Sequence, residues 1–132
     1  MIEGTCHCGK VHWTYVSDPE TATACNCTVC RRFGSLWIYG WVGEEITTSG
    51  DTVAYVRDDG EDIGFHHCPT CGCVTWWKGM KPHKDGRTRI AVNTRMADDP
   101  KTVADLPVRH FDGLESWEDL PNDGKCVADL WA

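Results

Sequence analysis

Nine cysteines stand in a chain of 132 residues, and they are grouped rather than scattered. Such a density is typical of metal binding or of redox chemistry in a reducing compartment. Because the chain starts without the basic and apolar segments of a secretory signal, we expect a cytoplasmic protein. An odd number of cysteines also cannot pair completely into disulfides. The nine are Cys6, Cys8, Cys25, Cys27, Cys30, Cys68, Cys71, Cys73 and Cys126.

The first group of cysteines has the spacing of a closed tetrahedral metal site. Cys68 and Cys71 form a C-x-x-C pair, and Gly72 can adopt the left-handed conformation that ends such a turn. Two thiolates bound to one zinc ion lie about 3.8 Å apart, which a turn of this length allows. A dithiol redox pair is the alternative, but it requires a helix after the second cysteine, and the following residues favour a strand. The predicted structural zinc site is Cys6, Cys8, Cys68 and Cys71.

The second group is Cys25, Cys27 and Cys30, three thiols within six residues. Three protein ligands leave one open position on a tetrahedral metal, as in reactive zinc sites. Three thiolates and Zn²⁺ carry a net negative charge, so an incoming soft thiolate suits this metal better than hydroxide does. Arg31 and Arg32 follow directly and could compensate the added negative charge, together with the dipole of a helix beginning there. We therefore expect an anionic small-molecule thiol as substrate.

Two other interpretations of the second group remain open. Cys73, Cys126, a histidine or an aspartate could supply a fourth ligand and close the site. The cysteines could also be reduced thiols without metal. In the first case the protein would be a non-catalytic binding module held together by zinc.

The remaining candidates are single polar or aromatic side chains near predicted strands. Asn93 and Arg95 follow a predicted strand and could hold a substrate carboxylate. Cys73 and Cys126 are interpreted as buried thiols. The other candidates are the pair His66 and His67, as ligands or as acid and base, and Trp37 or Trp41, as the wall of a pocket.

Short segments rich in β-branched and aromatic residues, separated by turn residues, predict one mainly β domain over residues 1–132 with little helix. One helical turn is expected after Cys30 and another near residues 97–106. From Arg109 onward the chain is expected to form surface loops. The predicted strands cover residues 11–16, 35–42, 52–57, 63–67, 73–77 and 89–93.

The charge balance excludes some partners. Thirteen basic and twenty acidic residues give a formal net charge of −7. Nucleic acids and anionic membranes both select basic surfaces, so neither is an expected partner. No apolar run approaches the roughly 18 residues of a membrane-spanning helix.

Five segments together resemble one known family. The arrangement is similar to the glutathione-dependent formaldehyde-activating enzyme family, which also includes centromere protein V. The similarity covers about residues 3–118 and leaves a surface tail of about 119–132. In chain order the segments are residues 4–11 (GTCHCGKV), 25–32 (CNCTVCRR), 67–72 (HCPTCG), 91–95 (AVNTR) and 108–113 (VRHFDG).

The resemblance implies a small β-tent-like fold with two zinc ions. Cys6, Cys8, Cys68 and Cys71 would hold a structural ion, and Cys25, Cys27 and Cys30 a reactive ion near which glutathione binds. The implied reaction adds the glutathione thiol to formaldehyde, giving S-hydroxymethylglutathione, a carbon–sulfur bond-forming step classed with the lyases. The basic extension that would suit a chromatin role is absent, so the centromere function is not carried over.

Overall fold

The computed structural model describes residues 1–131, except for the side chain of Glu61. Within this part the chain forms short strands, one single-turn α-helix, α1 (Cys30–Phe33), and three 3-10 turns (Thr94–Met96, Pro100–Thr102 and Val127–Leu130). The strands are β1 (Ile2–Thr5), β2 (His12–Tyr15), β3 (Ala22–Cys25), β4 (Trp37–Trp41), β5 (Ile46–Ser49), β6 (Val53–Arg57), β7 (Gly60–His67), β8 (Val74–Gly79), β9 (Arg89–Asn93) and β10 (Val108–Phe111).

The strands form two sheets of unequal size. The small sheet has the order β1-β2-β5 and is antiparallel throughout. The large sheet has the order β10-β3-β4-β9-β8-β7-β6. Its pairs are antiparallel except for β10 and β3, which run parallel at one edge. This mainly β architecture is the one that the sequence predicts.

Alternation along the central strands separates two apolar clusters. Successive side chains of a strand lie on opposite faces of its sheet. Trp76 and Val92 belong to the main core beneath the small sheet. Their neighbours Trp77 and Ala91 belong to a second cluster on the other face of the sheet. This second cluster also contains Cys27 and Cys30. The pleat of β8 and β9 therefore places that segment away from the main core.

The structure corrects the sequence-based boundaries at several strands. Residues 109–111 were expected in a loop, yet they belong to β10, which pairs with β3. The strands β1, β3 and β5 were not predicted, because each has four residues with little apolar alternation. The expected helical turn near 97–106 is a 3-10 turn at Pro100–Thr102. Among residues 1–131, no helix has the length and hydropathy that crossing a bilayer requires.

Candidate functional site

Four sulfur atoms meet where the loop after β1 approaches the loop after β7. The Sγ atoms of Cys6 and Cys8 are 3.6 Å apart, and those of Cys8 and Cys68 are 3.5 Å apart. Cys71 completes a group whose sulfurs all lie within 4.8 Å of one another. These separations are close to the edge of a zinc tetrahedron, about 3.8 Å, and far longer than a disulfide of about 2.05 Å.

Local backbone geometry arranges this four-cysteine cluster for thiolates. The N–H of Val11 donates to the sulfur of Cys6, at 3.2 Å. The backbone N–H groups of Cys73 and Cys8 lower the pKa of Cys71 to about 5. Gly72 has a φ of 80°, which lets the turn end in the left-handed region. The donor set therefore fits a structural zinc ion, and the strand β8 that follows does not provide the helix of a redox dithiol.

The second cluster lies at the edge of the large sheet, between the end of β3 and the start of α1. The sulfurs of Cys25, Cys27 and Cys30 lie within 4.8 Å of one another. Among the described residues, no fourth histidine, cysteine, aspartate or glutamate ligand atom joins this group. The geometry therefore offers three sulfurs to one ion.

Each of these three sulfurs accepts a hydrogen bond from an N–H group. Cys27 N donates to Cys25 Sγ at 3.5 Å, and Cys30 N donates to Cys27 Sγ at 3.3 Å. The indole Nε1 of Trp37 donates to Cys30 Sγ at 3.4 Å. Such donors stabilise thiolate ligands and fix their orientation.

The pKa values of the three cysteines depend on one another, because their thiols are hydrogen-bonded to each other. Hydrogen bonds from the S–H groups of Cys25 and Cys30, and from backbone N–H groups, stabilise the Cys27 thiolate. They outweigh the effect of burial, so the pKa of Cys27 is lowered. The pKa of Cys30 is raised, because its proton is shared with Cys25 and Cys27 and because burial disfavours its charge. Three thiolates at this distance repel one another, and a divalent cation would allow all three to ionise. The donor set therefore fits a bound metal ion.

A cavity of about 540 Å³ opens beside the three cysteines. Its volume is within the usual range of small-molecule sites, and six of its fourteen lining residues are aromatic. The polar and charged residues of the wall include Tyr39, Arg57, Asp59 and Asp62. The aromatic residues are Trp37, Tyr39, Phe65, Trp77, Phe111 and Trp117.

The loop after β10 closes one side of the cysteine cluster. The parallel register sets Phe111 opposite Cys25. A Cβ atom on Gly113 would lie 2.8 Å from Cys25 Sγ and 2.9 Å from the Cβ of Cys27, so only glycine fits there. The sequence signal for this loop is the segment 108–113, which belongs to the family resemblance.

Asp112 organises this closing loop. Its carboxylate accepts hydrogen bonds from Asn26 Nδ2 at 3.1 Å and from the backbone N–H of Ser116 at 3.0 Å. These donors, with the Ser116 hydroxyl, hold the pKa of Asp112 well below its ordinary value. The loop ends at Trp117, which has a φ of 59° and contacts the Phe111 ring edge-on at 5.2 Å. Asp112 thus ties the cysteine segment to the aromatic wall.

The two arginines expected to serve the second metal lie outside the cavity wall. Arg31 is exposed. Arg32 Nη1 donates to the Thr28 carbonyl at 2.7 Å, and its side chain lines a neighbouring cavity. The helix α1 is a single turn, too short to supply the expected dipole. The basic residue in the cavity wall is Arg57, at the end of a predicted strand.

Asn93 and Arg95 are also placed differently from the expectation that they hold a substrate carboxylate. Asn93 is buried, and its side chain bonds to Leu36 N at 3.2 Å and to the Val74 carbonyl at 2.9 Å. Arg95 donates to the backbone carbonyls of Gly34 and Leu130. Neither residue lines the cysteine cavity. Their positions indicate that they fasten loops to the end of β9.

The histidine and cysteine candidates lie away from the cysteine cavity. His66 stacks on Trp76 at 5.8 Å and shares a hydrogen bond with Thr52. Cys73 packs beside the four-cysteine cluster and the main core. Cys126 contacts Asp129. Neither cysteine therefore supplies a fourth ligand to the three-cysteine cluster. The remaining candidates differ in place: Trp37 lines the cavity, whereas His67 and Trp41 line neighbouring cavities.

Comparison with known proteins supports the fold and gives the family. A solved structure of a Rhodobacter sphaeroides protein superposes with a TM-score of 0.57 at 22% identity, covering 80% of this chain and 98% of that one. At this identity the likeness shows the fold alone.

Sequence comparison extends the resemblance. A Halomonas elongata protein provisionally named a glutathione-dependent formaldehyde-activating enzyme is 29% identical over 91 residues, covering 58% of this chain. The chain spans about half of that relative, 55% of its length. The family model described as "Glutathione-dependent formaldehyde-activating enzyme" matches residues 1–111, including both cysteine clusters. The chain therefore belongs to the glutathione-dependent formaldehyde-activating enzyme family.

Proposed function

We propose that this chain is a zinc-dependent enzyme that adds glutathione, or a similar anionic thiol, to formaldehyde or a related small electrophile. The observation that carries the proposal is the three-cysteine cluster, Cys25, Cys27 and Cys30, open to an aromatic cavity of about 540 Å³. The family match supports the choice of glutathione and formaldehyde. The product would contain a new carbon–sulfur bond, as in the S-(hydroxymethyl)glutathione synthase type of lyase.

The cysteines of the two clusters would hold two zinc ions with different tasks. Cys6, Cys8, Cys68 and Cys71 would hold a structural ion that joins the two loops. Cys25, Cys27 and Cys30 would hold the second ion. When bound there, zinc would act as a Lewis acid that favours the thiolate form of an incoming thiol. The N–H groups on the three sulfurs keep the ligands oriented.

Tyr39 is the donor that we assign to the carbonyl oxygen of the electrophile. Tyr39 lines the cavity together with the three cysteines. Burial raises the pKa of Tyr39, so the phenol remains protonated at neutral pH and can donate. A donor placed where negative charge develops on oxygen lowers the barrier of an addition to a carbonyl.

The addition forms one carbon–sulfur bond and moves two protons. The thiol loses its proton to solvent, its sulfur forms a bond to the carbonyl carbon, and the C=O π bond breaks. The oxygen then takes a proton from Tyr39, which solvent replaces. The aromatic wall limits the access of water to the reacting carbon.

The proposal is tested by counting metals and measuring catalysed exchange. Native mass spectrometry of the zinc-loaded chain should show two ions, and glutathione should add one adduct. NMR exchange between glutathione, formaldehyde and their adduct should be faster than the spontaneous rate, and the Cys27→Ser variant should return it to that rate. Two zinc ions without an adduct or a catalysed rate would instead indicate a non-catalytic module.

A further inference from the structure

A second cavity of about 500 Å³ adjoins the cysteine cavity and shares Asp62, Ile63 and Trp77 with it. Its remaining wall includes Lys81 and Arg89. We propose that this cavity binds a carboxylate of the substrate thiol and selects thiols whose carboxylate is several bonds from the sulfur. The inference rests on the proposed function, since it assumes that the sulfur lies at the three-cysteine cluster.

The strand register separates the backbone positions that would support the two ends of such a ligand. Trp37, which donates to Cys30 Sγ, lies on β4, and Trp41 lies four residues further on the same face. Arg89 is directly opposite Trp41 on the neighbouring strand β9. Four strand residues span roughly 13 Å. A ligand of peptide length covers this separation of the two backbone positions, whereas a two-carbon mercaptan does not.

The charges of the second cavity suit an anion. Two cations, Lys81 and Arg89, stand against one carboxylate, Asp62, in a chain whose net charge is −7. Among the residues with described side chains, no carboxylate oxygen lies within 4.0 Å of the nitrogens of Lys81 or Arg89. Arg87, two residues away, is instead paired with Asp85 at 2.8 Å.

Arg89 stands at the junction of the two cavities. Its guanidinium carbon is 5.4 Å from the ring centre of Tyr39 and 5.7 Å from that of Trp77, and both rings line the cysteine cavity. A planar guanidinium braced on aromatic faces is suited to a two-point hydrogen bond with a carboxylate. Arg89 is exposed to solvent, and these two rings hold its guanidinium beside the cysteine cavity.

The turn before β9 holds this part of the wall in place. His83 N donates to the Arg87 carbonyl at 2.8 Å, and Met80 N donates to the Asp62 carbonyl at 2.9 Å. The His83 ring contacts Trp41 edge-on at 5.1 Å. These contacts fix the backbone of the turn before a ligand binds, which reduces the ordering cost of binding.

Another cavity that adjoins the cysteine cavity is a weaker candidate for the same role. It has a volume of about 690 Å³ and shares Arg57 and Asp59 with the cysteine cavity. Both of its arginines are engaged, because Arg57 bonds to Asp59 through two nitrogens and Arg32 donates to the Thr28 carbonyl. The acids Asp58 and Asp59 also match its two cations in number.

The test uses S-methylglutathione, which keeps the carboxylates but has no free thiol. Isothermal titration of the zinc-loaded chain should show that Arg89→Met weakens binding roughly tenfold, the usual effect of losing a charge-assisted hydrogen bond. Arg89→Lys should retain part of the affinity. Arg87→Met is the matched control and should bind as the parent chain does. Equal binding by the parent and Arg89→Met, or an equal loss in Arg87→Met, would overturn the inference.

Two further arms separate this inference from the proposed function. The dimethyl ester of S-methylglutathione should bind weakly, and Arg89→Met should not weaken it further; an equal loss with the ester would overturn the carboxylate assignment. In the formaldehyde exchange assay, Arg89→Met should raise KM for glutathione about tenfold and leave kcat unchanged. Catalysis whose KM is insensitive to Arg89 would overturn the inference and leave the proposed function standing. Binding that depends on Arg89 without catalysed exchange would support the carboxylate site and overturn the proposed function.

Discussion

Gly113 provides a direct test of how the loop after β10 supports the three-cysteine cluster. In a Gly113→Ala variant the new Cβ would lie 2.8 Å from Cys25 Sγ and 2.9 Å from Cys27 Cβ. Ordinary contacts of this kind begin near 3.4 Å. The loop or the cysteine segment must therefore move by about 0.6 Å, in a place where the backbone of β10 is fixed by its pairing with β3.

A displacement of this size exceeds what a metal site tolerates, since ligand distances must hold within about 0.2 Å. We expect the affinity of the second zinc to fall about 10- to 100-fold, as when a supporting group of a metal site is lost. Overpacking should also destabilise the fold by about 1–3 kcal/mol. The first zinc, at the four-cysteine cluster, should remain bound.

The assay is zinc stoichiometry under competition with a chelator, combined with thermal unfolding. Gly64→Ala is the matched control, because its new Cβ would make ordinary contacts with Ala54 Cβ and Met80 Sδ at 3.4 Å and with His66 Nε2 at 3.7 Å. That control should keep two zinc ions and nearly the parent stability. The reasoning fails if Gly113→Ala binds its second zinc with parental affinity, because the loop would then play no part in shaping the cluster.

Three further predictions concern the metal, the donor and pH. Cys71→Ser should lose the first zinc and several kcal/mol of stability, measured by metal analysis and thermal unfolding, because a structural zinc contributes folding energy directly. Tyr39→Phe should lower kcat of the exchange reaction about 100- to 1000-fold with two zinc ions retained. Because the folded-state pKa of Asp112 is depressed, its carboxylate stabilises the fold above the ordinary aspartate pKa, and this stabilisation is lost as pH falls toward the folded value. Acid unfolding of Asp112→Asn should therefore depend less on pH in that window than acid unfolding of the parent chain.

The sequence was most informative where the physical constraint is local. The C-x-x-C turn of Cys68 and Cys71 brings two sulfurs together by its own geometry, and Gly72 has the positive φ expected of it. The β-branched and aromatic residues around Trp76 likewise indicate a strand, and the structure has β8 there. The mainly β class and the grouping of the cysteines could be predicted for this reason.

The sequence was least informative where side chains from distant strands meet. Nothing in the segment around Arg57 shows that it lies beside Cys27, since the two are joined only through the order of strands in the large sheet. Arg31 and Arg32 were favoured because they adjoin Cys30 in sequence, yet they lie outside the cavity wall. Adjacency along the chain and proximity in space diverge once a segment turns.

The parallel pairing of β10 with β3 has a consequence for the order in which the molecule is assembled. Asn26 and Asp112, whose hydrogen bond fastens the closing loop, are 86 residues apart in sequence. Joining such distant segments has a large entropic cost, which is met only after the intervening strands have formed. The three-cysteine cluster should therefore form late in folding, after the rest of the large sheet. Zinc added during refolding should occupy the four-sulfur centre first.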